Sequence, residues 1–375
     1  MKITEVKATP LALKNKVPYH YSRGVPLGTN VVLVEVKTDE GITGYGESTG
    51  DRGAEAVAAL VRHISQLLIG RSPFDVESLT MVAQRKAKLD NAPRFASHAL
   101  AGVELALWDV VGKAVGQPVH RLLGGAVREE IDYFAFLQGG TTEELAAHAS
   151  RAASEGYGVI YMKVGLGEER DLRNVEAVRH AIGGLKLRID ANEAWDPMTA
   201  IRMIGKLAKF DLEFVEQPTP ARSIRALRQV KESVGVPIAA DQCAYTLAEV
   251  FEVCATRAAD VLVLGPHETG GLLGLRKAAG IAEAVGISVC MHGQQDSGIS
   301  TCAENQIAAT ITNLTDGNQI MHQVLEEDIV SAPDLTVRNG KLRVLDGPGL
   351  GMELNWEAVE RASARYRDEG PYNPF

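Results

Sequence analysis

Cysteine is scarce: the chain has four, all in its second half (Cys243, Cys254, Cys290 and Cys302), and none forms a Cys-x-x-Cys pair. That excludes a disulfide scaffold as the organising principle and points to reduced thiols in a cytoplasmic protein. No apolar run is long enough to span a bilayer, and Met1-Lys2-Ile3-Thr4-Glu5-Val6 reads as a strand start without the apolar core of a signal peptide. Positive charge is in deficit, with a formal net charge of −9, so nothing favours nucleic acid or an anionic membrane as partner. Low-complexity segments are absent, and no His-x-His or His/Cys cluster suggests zinc.

What the chain does have is enough apolar residue for a large core, 45% of 375 residues, and a length that exceeds what one core usually organises. Residues 1–128 look like an α+β domain. Val31-Val32-Leu33-Val34-Glu35-Val36 and Gly41-Ile42-Thr43-Gly44-Tyr45-Gly46-Glu47 read as strands, and Val57, Leu60, Val61, Ile64 and Leu68 follow helical spacing. A helix over 96–115 is apolar on most sides, as expected of one buried between domains. Over 129–325 strands and helices alternate, with strand ends near Leu137, Lys163, Asp190, Glu216, Asp241, Leu264, Met291 and Met321. Helix starts follow: Thr141-x-x-Glu144 and Thr246-x-x-Glu249 as capping boxes, Asp196-Pro197 as an N-cap with proline next. Eight such units predict an α/β fold of the (β/α)8 barrel type, with a doubly wound open sheet as the alternative. Residues 326–375, with an Asn339-Gly340 hairpin turn, read as a tail returning to the first domain.

Lys163, Asp190, Glu216, Asp241 and His292 stand at or just past strand ends, at intervals of 27, 26, 25 and 51 residues. A βα unit needs about that many, and in a barrel all strand ends open on one face. Three carboxylates converging there repel one another unless a cation lies between them, and all-oxygen ligation suits a hard ion such as Mg²⁺. Beside such a cation Lys163 would lose affinity for its proton and could serve as a base; it could equally form an ion pair with Asp190. His292 could be a second acid or base, or a hydrogen-bonded wall residue. His267-Glu268, off the period, reads as a solvated loop pair. Tyr19, Tyr21 and Arg23 lie in a polar-aromatic loop that could form a lid, with Arg23 gripping a second anionic group of a substrate. Tyr161 and Asn192, beside Lys163 and Asp190, are further candidates for substrate contact.

With these residues in place the chain resembles the enolase superfamily, specifically its mandelate racemase/muconate lactonizing enzyme group. The resemblance runs nearly end to end, through Gly41-x-x-Gly44-x-Gly46-Glu47, Ala106-Leu107-Trp108-Asp109-x-x-Gly112-Lys113, Ile189-Asp190-Ala191-Asn192, Val215-Glu216-Gln217-Pro218, Ala240-Asp241, Thr269-Gly270-Gly271, Ser297-Gly298-Ile299 and Gly347-Pro348-Gly349-Leu350-Gly351. It implies a capping domain over a modified (β/α)7β barrel, Mg²⁺ on Asp190, Glu216 and Asp241, Lys163 as base, and a small carboxylate substrate deprotonated next to its carboxylate. Relatives often form symmetric homo-oligomers.

The departures bear on the reaction. Tyr161 replaces the first lysine of the usual Lys-x-Lys. Gly265 stands where many relatives carry a second lysine or an aspartate. His292 falls where mandelate-racemase-like members place a histidine base, yet its aspartate partner would stand at Gly265 and is absent. A two-lysine racemase mechanism is excluded. Racemisation or epimerisation by Lys163 and His292, dehydration of a hydroxy acid, and cycloisomerisation remain, with dehydration favoured because an unpartnered His292 is a better acid than base. A metal-dependent hydrolase would need histidine ligands, and a catalytically dead barrel serving as a binding module would be expected to have lost a carboxylate.

Overall fold

Val31–Val34 is apolar on both faces, which suits a strand covered on both sides. In the computed structural model, which describes residues 1–50 and 53–372, it lies at the centre of an antiparallel sheet of β1 (Ile3–Lys14), β2 (Gly28–Thr38) and β3 (Thr43–Thr49), in that order. Helices α1 (Ala54–Ser65), α2 (Val76–Lys86) and α3 (Pro93–Val115) complete this cap, and the short α4 (Val119–Leu122) leads out of it. A β-carbon on Gly44 or Gly46 would collide with the carbonyl oxygens of Ala106 or Gly102. The glycine motif therefore lets α3 lie directly on β3. The expected all-round apolar helix is α3, buried along nearly its whole length.

A short strand β4 (Glu130–Asp132) precedes the barrel. The barrel then runs β5 (Ala135–Phe136), α5 (Thr142–Ser154), β6 (Val159–Lys163), α6 (Glu168–Ile182), β7 (Lys186–Asp190), α7 (Pro197–Leu207), β8 (Phe214–Glu216), α8 (Ile224–Ser233), β9 (Ile238–Ala240), α9 (Leu247–Thr256) and β10 (Val261–Leu264). It ends with the one-turn α10 (Pro266–Thr269), α11 (Leu272–Ala284), β11 (Ser288–Met291) and α12 (Gly298–Ala308). Strands β5 to β11 form one parallel seven-stranded sheet in sequential order. Both capping boxes and the Asp196 cap form as their sequences predict.

The eighth strand, expected to end near Met321, is not a regular one. Residues 313–319 close the ring by single hydrogen bonds instead: Thr315 N–H to Val289 O and Gln319 N–H to Met291 O on one side, Phe134 N–H to Asn318 O on the other. Arg188, buried inside the barrel, fastens this segment by donating to the carbonyl oxygens of Asp316 (2.7 Å) and Gly317, while it pairs with Glu213 at 2.6 Å. The Arg188 guanidinium and these single backbone hydrogen bonds thus replace the missing ladder.

The tail contains β12 (Val330–Ala332), β13 (Lys341–Arg343), β14 (Glu353–Leu354) and α13 (Trp356–Glu369). The Asn339-Gly340 turn has positive φ at both residues, and Arg338 and Lys341 pair across it as the hairpin predicts; the strand that follows also pairs with β4. Helix α13 returns to the cap, where Arg365 donates to Ala12 O at 2.9 Å. Among the described residues no helix is long and apolar enough to cross a membrane.

Candidate active site

Strand register assembles the centre. Lys163 of β6 is opposite Asp190 of β7, and Asp190 is opposite Glu216 of β8, so three strand-end residues stand side by side at one rim. Asp241 follows Ala240, the last residue of β9, and His292 follows Met291, the last of β11. All three carboxylates are buried.

Lys163 Nζ forms an ion pair with Asp190 Oδ2 and donates to Asn192 Oδ1 at 3.1 Å. Tyr161 is fully buried, its hydroxyl 2.7 Å from Asp190 Oδ2 and 3.1 Å from Glu216 Oε1. It holds the carboxylates from within the barrel, in the place left by the missing lysine. The turn after β7 is tight: Asn192 and Glu193 both have positive φ, and the Asn192 N–H donates to Asp190 Oδ1 at 2.6 Å. Gln217 Oε1 accepts from the Asp241 N–H at 3.0 Å, which gives the glutamine of the Glu-Gln-Pro motif a supporting role.

Burial, and next the neighbouring carboxylates, push Glu216 well above the usual carboxylate range and Asp241 up to about 8. Burial opposes the Lys163 ammonium, but Asp190, Glu216 and Asp241 outweigh it and hold its pKa above the ordinary lysine value. The sequence expectation was the reverse direction. It presumed a cation between the carboxylates; without that charge they stabilise the ammonium. Three carboxylates crowd one ammonium at this buried rim, and oxygen donors of Glu216 and Asp241 lie within 4.8 Å of each other and of a His292 nitrogen. The carboxylate oxygens of Glu216 and Asp241 suit a hard divalent cation, and Asp190, the third expected ligand, stands beside them engaged by Lys163 and Tyr161.

The centre opens into a cavity of about 680 Å³. Tyr19, Tyr21 and Arg23 of the cap loop line it together with Lys163, Asn192 and His292; Tyr161 is not on its wall. Arg23 forms an ion pair with Glu193, and Ser22 Oγ donates to the Asn192 carbonyl at 3.0 Å, so the loop is moored to the β7 turn. Gln242, Tyr245 and Gln294 also line the cavity, and no periodicity marks them in the sequence.

His267-Glu268 corrects the sequence reading. The pair is not solvated: both residues are in α10 and are 1% and 3% exposed. Helix α3 of the cap lies over this turn, a cover supplied by residues about 170 positions earlier. Glu104 on α3 accepts from the N–H groups of Leu272 (2.9 Å) and Leu273 (3.1 Å), at the start of α11. Glu268 Oε1 lies 3.4 Å from His292 Nε2, while His292 Nδ1 lies 3.8 Å from Asp241 Oδ1. Burial lowers the His292 pKa, with Glu268 opposing. Glu268 was legible only as a glutamate three residues beyond a strand-end glycine. Behind it His267, Asp296 and Glu304 form a wholly buried group; burial drives His267 down to about 3 and raises both carboxyls well above the usual range.

Fold and site define a barrel enzyme with an acidic, cation-ready centre under a separate cap. The comparisons with known proteins name its family. Residues 3–124 match the mandelate racemase/muconate lactonizing enzyme N-terminal domain, and residues 144–359 match the enolase C-terminal domain-like family. The chain belongs to the mandelate racemase/muconate lactonizing enzyme group of the enolase superfamily. It is 30% identical to a probable glucarate dehydratase of Streptomyces coelicolor, over 98% of this chain and 93% of that one. It is 31% identical to muconate cycloisomerase 1 of Rhodococcus opacus, over 96% and 98%. The crystal structure of the N-succinyl Arg/Lys racemase from Bacillus cereus superposes with a TM-score of 0.89 at 26% identity, covering 96% of this chain and 98% of that one. These relatives are lyases and isomerases.

Proposed function

We propose that the protein removes the proton next to the carboxylate of a small carboxylic acid, with Lys163 as base, and that the reaction ends in loss of water from a hydroxy acid. The observation that carries this reading is the placement of Lys163 Nζ, against Asp190 Oδ2 and 3.1 Å from Asn192 Oδ1, on the wall of the cavity that also receives His292. A proton next to a carboxylate is a very weak acid, because its removal adds a second negative charge to the same oxygens. Mg²⁺ on Asp190, Glu216 and Asp241 would compensate that charge. Lys163, released from its excess of carboxylate neighbours, takes the proton at Nζ, and Asn192 Oδ1 keeps the amine aimed. Arg23 binds a second anionic group at the cap loop, and Tyr19 and Tyr21 exclude water. His292 delivers a proton to the departing hydroxyl.

The second reading is racemisation or epimerisation. It is supported by the same pair of groups, since Lys163 and His292 reach one cavity from different strands, and by the likeness to the Bacillus cereus racemase. Incubation of wild type and Lys163→Ala with Mg²⁺ and pooled carboxylic acids in D₂O, read by mass spectrometry, decides between them. Loss of water that disappears in the variant supports dehydration. Deuterium gain at constant formula, also lost in the variant, favours racemisation. Turnover that survives Lys163→Ala overturns Lys163 as the base.

A further inference from the structure

The end of β10 carries a glycine, and the structure leaves room for nothing else. A β-carbon on Gly265 would lie 2.8 Å from the His292 carbonyl oxygen and would overlap Oε2 of Glu268. The carboxylate of Glu268 therefore fills the volume into which a side chain at Gly265 would project. The route is local: Pro266 starts α10 directly after Gly265, and the single helical turn swings residue 268 back over the strand end. There Glu268 Oε1 accepts from Gln294 Nε2 and faces His292 Nε2 at 3.4 Å, while Oε2 has no hydrogen-bond partner among the described residues. His292 Nδ1 is likewise buried without a partner and faces Asp241.

We propose that Glu268 is the positioning carboxylate of His292: Oε1, 3.4 Å from Nε2, takes up the Nε2–H and so fixes the imidazole in one orientation and one tautomer. The role of His292 in proton transfer rests on the function proposed above; the pairing itself does not. An imidazole that donates to a carboxylate is held in one orientation and one tautomer. The chain thus supplies from a following turn, on a longer side chain, the carboxylate that its strand end cannot carry.

The test is ¹⁵N-histidine NMR of the full-length protein with Mg²⁺, with the His292 signals assigned from their loss in His292→Asn. The expected result is a single Nε2–H tautomer in the wild type and a mixture of tautomers in Glu268→Gln. An Nδ1–H tautomer in the wild type overturns the pairing without any variant, and so does a wild-type pattern retained in Glu268→Gln. On a substrate found in the D₂O screen, Glu268→Gln lowers kcat by about 10- to 100-fold with KM little changed, and Glu268→Asp recovers part of the loss. Equal losses in kcat for Gln and Asp, or a loss confined to KM, contradict it. Because the tautomer needs no substrate, failure of the proton-abstraction reading and failure of this pairing give different results.

Discussion

The hydroxyl of Tyr161 lies 2.7 Å from Oδ2 of Asp190, the oxygen that also receives the Lys163 ammonium. It is 3.1 Å from Glu216 as well, but one hydroxyl has one proton, so two carboxylates share a single donor. Tyr161→Phe removes that donor and nothing else of the ring, which stacks on Phe134 at 4.4 Å. The variant is expected to be less stable by about 1–3 kcal/mol in urea unfolding. Its Mg²⁺ affinity, by isothermal titration calorimetry, should fall by about 10- to 100-fold. Unchanged affinity would remove Tyr161 from the support of the centre.

Asp241 gives the metal-free protein a pH signature. Its carboxyl is raised from 3.8 to about 8, so the folded state keeps a proton that the unfolded state has lost. Stability then falls as pH rises through that window. EDTA-treated protein is expected to lose stability from about pH 4 to pH 8, and Asp241→Asn to flatten that slope. Mg²⁺ at a hundred times its dissociation constant should restore about 2.7 kcal/mol to the wild type. A wild-type melting temperature indifferent to Mg²⁺ at pH 8 would count against the cation.

Glu104 offers the same logic away from the cavity. Burial raises it from 4.5 to about 7, despite donors from Leu272, Leu273 and Trp108. The wild type is expected to lose on the order of 3 kcal/mol relative to Glu104→Gln between pH 4.5 and 7. Denaturant midpoints of both proteins at the two pH values check it; parallel curves would mean that Glu104 stays ionised throughout.

Arg23, half exposed and paired with Glu193, is expected to govern substrate binding and not the chemical step. Arg23→Gln should raise KM for a substrate with two anionic groups by about tenfold or more, with kcat nearly unchanged, since a lost charged hydrogen bond is worth about 1.5–3 kcal/mol. A fall in kcat with constant KM would place Arg23 in the chemistry instead.

Two motifs that look unrelated in the sequence are one contact in the fold. Glu47, at the end of the cap's glycine motif, accepts from the backbone N–H of Ser297 at 3.0 Å and from its hydroxyl, 250 positions away. Asp109 of the Trp-Asp motif accepts from Tyr45 N–H and Leu350 N–H, both at 2.9 Å, and pairs with Lys113 at 2.6 Å. The motifs were legible; their function as ties between cap, barrel and tail was not.

The sequence by itself determined the βα period, the helix caps and the strand-end positions of Lys163, Asp190 and Glu216. Those features depend on residues within a few positions of each other, and register carries them into space. Only the tertiary structure decided the burial of His267-Glu268, the irregular closure of the barrel, and the direction of the Lys163 shift. Each depends on which distant groups exclude water from a site and which charges they bring to it. Gly265 and Glu268 show the difference most clearly: a missing side chain is visible in the sequence, but the carboxylate that takes its place becomes visible only when α10 folds back under the cap.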